Sequence, residues 1–223
     1  VLRLENPATF AAQKGQSQSS TFYNRVKAYP AKKGHAAVSK ATIDTVKKAI
    51  LGMPRAIYQI LDSAEITVSV APSAQDKLEA NSKLQEAAIL NGKEITVFEN
   101  LMIAGKSAAT NKTGSVSTAR AFSPVEIKEA FLKQVGNAIE QSGGGLARDP
   151  DFHAAFMLDC RNLPANIEET LPFLAPPANQ AEQEVCAYLL DSIAGGSSKA
   201  VSTASQNFPK TKAWLINKLR LQN

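Results

Sequence analysis

The chain has 223 residues, 44% hydrophobic and 20% charged, enough for one large core or two small ones at ordinary globular composition. Its longest apolar stretch, Ile60 to Val70, is interrupted by Asp62 and Glu65, so no run reaches the ~18–20 residues that span a bilayer as a helix. Two cysteines, Cys160 and Cys186, exclude a disulfide-dense scaffold and a cysteine-based zinc finger; both suit small core positions, and a single disulfide between them stays open.

The net charge of +5 is unevenly spread. Residues 1–50 hold nine Lys/Arg against Glu5 and Asp44, a local balance of +7, so the other 173 residues carry −2. Residues 1–37, with the polar run Gln16-Ser17-Gln18-Ser19-Ser20, read as a basic, flexible N-terminal arm. Such an arm gives the 1–50 region a weak affinity for nucleic acid or an acidic surface, although no aromatic-basic interleaving of an RNA-binding kind accompanies it.

In chain order, Ile43, Val46 and Ile50 mark a helix over Ser39–Leu51 that Gly52-Met53-Pro54 stops, and Arg55–Leu61 reads as a second helix. Glu65-Ile66-Thr67-Val68-Ser69-Val70 alternates apolar and polar residues and is the clearest strand. Asp76 to Ala88 has a helical pattern through Leu78, Leu84 and Ala88. The Asn91-Gly92 turn then leads into a strand over Glu94–Phe98. Residues 104–122 form a small-residue loop with one edge strand. Ser123-Pro124-Val125-Glu126 is a capping box with Pro at the first helical position; Ile127, Phe131, Val135 and Ala138 mark the buried stripe of the helix it opens, and Gly143-Gly144-Gly145 ends it. Asp151–Leu163, Ala181–Ile193 and Pro209–Leu219 are further helices, the first followed by a proline-rich connection from Pro172 to Pro177. The whole reads as one α+β domain over 38–223, with a small mixed sheet and a mainly helical C-terminal half.

Residues 131–140 read Phe-Leu-Lys-Gln-Val-Gly-Asn-Ala-Ile-Glu. Position by position this resembles the apolar-apolar-His-Glu-x-Gly-His-Ala-x-acidic helix of the anthrax lethal factor-like zinc metallopeptidases, the family that includes the Pro-Pro endopeptidases. In such a helix two imidazoles one turn apart bind the metal, and the Glu is general base for its water. Here Lys133 and Asn137 stand at the two His positions and Gln134 at the base. A protonated ammonium cannot ligate zinc, and carboxamides are poor substitutes for imidazole and carboxylate. Asn179 to Tyr188 resembles the helix carrying the family's third ligand. Glu184 falls on the ligand position, 51 residues after Lys133, and Tyr188 replaces a second acidic residue. Asn207-Phe208-Pro209-Lys210-Thr211 and the helix through Trp214 resemble the end of these domains. Ala175-Pro176-Pro177-Ala178 lies where the family has a catalytic Tyr.

The resemblance implies a lethal factor-like metallopeptidase fold that has lost its chemistry: no enzyme, no cofactor, and a candidate cleft at Lys133, Gln134, Asn137, Glu184 and Tyr188. Because toxins of that family carry a degenerate copy of the same fold as a docking module, it implies a non-catalytic pseudo-peptidase that binds a protein or extended peptide. A part in a secreted or translocated bacterial toxin or effector is the matching expectation. It also places the Lys133 ammonium in the vacated metal position, paired with Glu184. The alternative is a metal-dependent hydrolase with a rebuilt site around Glu184 and His153, which has Asp149, Asp159 and Cys160 near it in sequence.

Overall fold

The computed structural model describes residues 21–33, 36–78, 85–103, 118–174 and 180–219. After a short helix α1 (Thr21–Asn24), strand β1 (Val26–Ala28) leads to helices α2 (Lys40–Leu51) and α3 (Arg55–Ser63). Strand β2 (Thr67–Ser73), the single turn α4 (Ala74–Lys77), the hairpin β3 (Ala88–Asn91) and β4 (Glu94–Ile103), and β5 (Thr118–Ala121) complete the sheet. The helical half then runs α5 (Pro124–Ser142), α6 (Pro150–Cys160), α7 (Ala181–Ala194), α8 (Lys199–Asn207) and α9 (Pro209–Lys218). The α+β reading, a small mixed sheet followed by a mainly helical half, is therefore what the chain adopts.

Strands β1, β2 and β4 are parallel, with Val26 opposite Val68 and Val68 opposite Ile95. Both β3 and β5 run antiparallel along the other side of β4, β3 beside Glu94–Val97 and β5 beside Asn100–Ile103. Alternation puts Val68, Val70, Ile95 and Val97 on one face, all buried. The polar face is buried too: Ser69 and Thr96 satisfy each other across the strands at 3.3 Å, and Lys77 from α4 bonds Ser69 and Glu94 above them.

The longest helix, α5, is the hub of the fold. Its capping box is made as the sequence indicates: Ser123 Oγ accepts from the Glu126 amide at 3.2 Å, and the Glu126 carboxylate accepts from the Ser123 amide at 2.8 Å. Arg120 of β5 bonds the same carboxylate and, with Ser123, pulls its pKa down to about 2. Phe131, Leu132, Val135 and Ile139 are fully buried. At Gly136 α5 crosses α7 at close range: a Cβ there would lie 2.5 Å from the Ala187 carbonyl oxygen. Beyond that crossing, Phe156 stacks on Phe208 and Phe152 meets Trp214 edge-on, both at 5.5 Å. Buried Asp159 accepts from the Thr211 amide at 2.9 Å and the Thr211 hydroxyl at 2.8 Å, tying α6 to the first turn of α9.

Two expectations change, and one helix appears that was not expected. The second half of the expected arm is folded: residues 21–33 supply α1 and β1, Phe22 is fully buried, and Arg25 reaches the carbonyls of Asp62 and Ile66. Strand β1 buries only Val26, too little apolar pattern to be legible among basic residues; residues 1–20 lie outside the described residues. Of the helix expected over Asp76–Ala88, the described residues show one turn that ends at Lys77, and Ala88 belongs to β3 instead; residues 79–84 lie outside the described residues. Pairing with β4 overrode a helical pattern carried by only three residues, of which Leu84 lies outside the described set. Helix α8, small and polar, buries only Val201 and Ala204, too few for a legible stripe.

Candidate functional site

Lys133, Gln134 and Asn137 sit on α5, and Glu184 and Tyr188 on α7, so the Gly136–Ala187 crossing brings the two segments together. Gln134 is 5% exposed, and its amide nitrogen donates to the Ala88 carbonyl of β3 at 3.2 Å. Its oxygen accepts from the Asn137 amide at 3.0 Å. Gln134 and Asn137, which the resemblance matches to a general base and an imidazole, thus form one polar clasp between helix and sheet, the first buried and the second half-buried. Phe98 donates to Ala87 in the β3–β4 ladder, so the backbone of Ala88 faces away from β4, and Gln134 supplies its buried carbonyl with a donor.

Lys133 does not pair with Glu184: no ion pair within 4 Å joins them among the described residues. Its ammonium lies instead over the Tyr188 ring, 6.0 Å from the centroid. Tyr188 is half-buried and stacks on Phe173 at 5.4 Å. Burial raises the phenol pKa; Lys133 opposes this, while Glu184, Asp191 and Glu86 reinforce it. The aromatic face next to the ammonium gives the cation a partner without Glu184, which stays half-buried one turn earlier on α7.

Sequence reasoning missed Asp191. It lies one turn beyond Tyr188 on the same helix, is 2% exposed, and its Oδ1 has no hydrogen-bond partner. Burial, reinforced by Glu129, pushes its pKa up to about 8. Gly196 presses against it so closely that a Cβ there would lie 1.9 Å from Oδ1. The signal was the acidic residue after Leu189-Leu190, at three-residue spacing from Tyr188.

A recess of about 280 Å³ opens beside the clasp, lined by Glu86, Ala88, Phe122, Ala130, Lys133 and Gln134. A larger cavity of about 530 Å³ lies elsewhere, among Phe156, Cys160, Leu163, Ile167 and Gln183, and contains none of the five positions. His153 pairs with Glu182 at 2.9 Å rather than with Glu184. The carboxylates near it in sequence are committed too: Asp149 holds Lys218 at 2.8 Å, and Asp159 caps α9. Both cysteines are free, which closes the disulfide alternative; burial pushes the Cys160 thiol up to about 11 and the Cys186 thiol higher still. Among the described residues no three of His, Cys, Asp or Glu gather as a metal site.

The basic region is also partly spent. Arg25 meets Asp62, Lys32 bonds Gln75, Lys40 pairs with Asp44, and Lys47 lies over the Tyr23 ring. Arg3, Lys14 and His35 lie outside the described residues, as do Ala175-Pro176-Pro177-Ala178.

No protein-family model, curated protein or solved structure matches the chain.

Proposed function

We propose that this chain is a non-catalytic binding module on a lethal factor-like frame, a pseudo-peptidase that holds a protein or extended peptide at the junction of α5, β3 and α7. The observation that carries the reading is the Gln134 clasp. A general base must reach a substrate-bound proton, whereas this side chain is buried and its amide is spent on Ala88 and Asn137. The site has packing where the resembling family has chemistry.

What remains is a recognition surface. A recess of about 280 Å³ is small for a whole ligand and suits one anchoring side chain of a longer partner. Phe122 offers it an apolar wall, Lys133 a cation and Glu86 an anion. The half-exposed Phe173–Tyr188 pair near Lys133 extends the surface with a flat aromatic face. A secreted or translocated toxin or effector component remains the setting that the resemblance suggests.

The test is a plug. Ala130→Trp fills the recess from the α5 side, at a half-buried position outside the clasp. Peptides selected from a random display library against the wild-type chain are expected to lose binding to this variant while its circular dichroism is unchanged. Peptide cleavage by the wild-type chain that chelators abolish would overturn the reading in favour of a hydrolase. Unaltered binding of every selected peptide to the plugged variant would overturn the location.

A further inference from the structure

A second surface lies where the last turn of α2, the first turn of α5 and the end of α7 converge, and it shares no residue with the recess at Lys133. Ala49, Gly52, Pro124 and Ala194 line a mostly apolar groove of about 510 Å³, with Val125 at its rim. Val125 is 69% exposed, and Leu51, next to Gly52 in the chain, is 47% exposed. Exposed single hydrophobes are ordinary, but two beside an apolar groove form a patch.

The charges around the groove are one-sided. Lys48 and Lys128 line it, and neither has a carboxylate within 4 Å among the described residues. Of the neighbouring acids, Asp191 is buried beneath the surface, and the exposed or half-buried ones are taken. Asp44 is paired with Lys40. Glu126 is held by Arg120 and the Ser123 amide. Glu129 accepts from the amides of Ser197 and Ser198, at 3.2 and 2.9 Å, and from the Ser197 hydroxyl at 3.1 Å. Among the described residues the fold therefore presents two cations beside an apolar trough, and no carboxylate forms an ion pair with either, although Asp44 and the buried Asp191 feel their charge from farther off.

We infer that this groove docks an acidic segment of another protein, one that sets an aliphatic or aromatic side chain between two carboxylates. The apolar anchor fills the trough, and the carboxylates meet Lys48 and Lys128 at its rim. Complementary charge at a rim sets association rate and selectivity more than raw affinity, so binding should be salt-sensitive. The groove of about 510 Å³ suits a peptide anchor, whereas a bilayer would engage only the protruding Val125 and Leu51 and leave the trough unfilled.

The experiment uses the full chain. A random display library is selected against the Ala130→Trp variant, so that peptides taken by the Lys133 recess do not contribute. The selected sequences are expected to combine Asp or Glu with Leu, Ile or Phe. Their affinity, measured by fluorescence anisotropy on synthesised peptides, should fall about tenfold or more in Lys48→Glu/Lys128→Glu and again in Val125→Asp. The exposed reversal Lys27→Glu should leave it unchanged. Selected peptides without acidic residues, or an affinity indifferent to the double reversal, would overturn the inference. So would binding of vesicles of phosphatidylserine and phosphatidylcholine that the double reversal abolishes while no peptide binds. The wild-type recess plays no part in these arms, so their failure leaves the reading of the Gln134 site standing.

Discussion

Gln134→Glu places a carboxylate in the buried clasp, and the structure says what it must cost. The wild-type amide donates to Ala88 at 3.2 Å and accepts from Asn137 at 3.0 Å. An ionised Glu keeps the second bond but turns an acceptor toward the Ala88 carbonyl, at a site only 5% exposed. Losing one buried hydrogen bond and leaving its acceptor unpaired costs about 1–3 kcal/mol, and burying a charge adds to it. A protonated Glu escapes most of this, because its O–H donates to Ala88 as the amide did. The variant carboxyl should therefore have a folded-state pKa above its unfolded value of about 4.3. The penalty relative to wild type is small below that value, grows as pH rises toward the folded pKa, and is complete above it. Urea unfolding at pH 5 and pH 7.5 should show the gap between variant and wild type widening to about 2–4 kcal/mol at the higher pH. Gln134→Leu, which never ionises, should lose about 1–3 kcal/mol at both. A Gln134→Glu variant as stable as wild type at pH 7.5 would refute the buried clasp and reopen the base position to solvent and substrate.

Asp191 makes a second pH-dependent test: with its folded-state pKa raised to about 8, its penalty is absent at low pH, grows above the ordinary aspartate range and is complete past about 8. Asp191→Asn should flatten the loss of stability between pH 6 and 9 by a few kcal/mol, and an unchanged pH profile would contradict its burial. Gly136→Ala gains about 1 kcal/mol of helix propensity but drives a Cβ to 2.5 Å from a backbone carbonyl. Net destabilisation of about 1–3 kcal/mol in denaturant is expected, and a stabilised variant would disprove the close crossing of α5 and α7. Thiol labelling of the native chain should be slow at half-buried Cys160, accelerating toward pH 10, and confined at Cys186 to the unfolded state; rapid labelling of Cys186 in native buffer would contradict its burial.

The elements legible in the sequence were those whose signals are local. The α5 capping box needs only Ser123, Pro124 and Glu126, and its backbone geometry follows from side chains within three residues. The strand at Val68 and Val70 and the Asn91-Gly92 turn before β4 likewise rest on alternation and on glycine's access to positive φ, which is 56° at Gly92. The positions of Lys133, Gln134, Asn137, Glu184 and Tyr188 on two helices were readable too, because helical spacing is a property of the chain.

Tertiary structure alone decided what those residues touch. The resemblance put Gln134 at a base position; its burial follows from Ala88, which stands in β3 rather than in the expected helix and turns its outward carbonyl against α5. Lys133 had a carboxylate partner by analogy, yet the crossing at Gly136 set its ammonium over Tyr188 instead. β1 emerged from a basic segment because a neighbouring strand supplies hydrogen bonds that no local pattern encodes. A side chain's partner depends on backbone groups far away in sequence, and only packing of the whole core fixes where those groups stand.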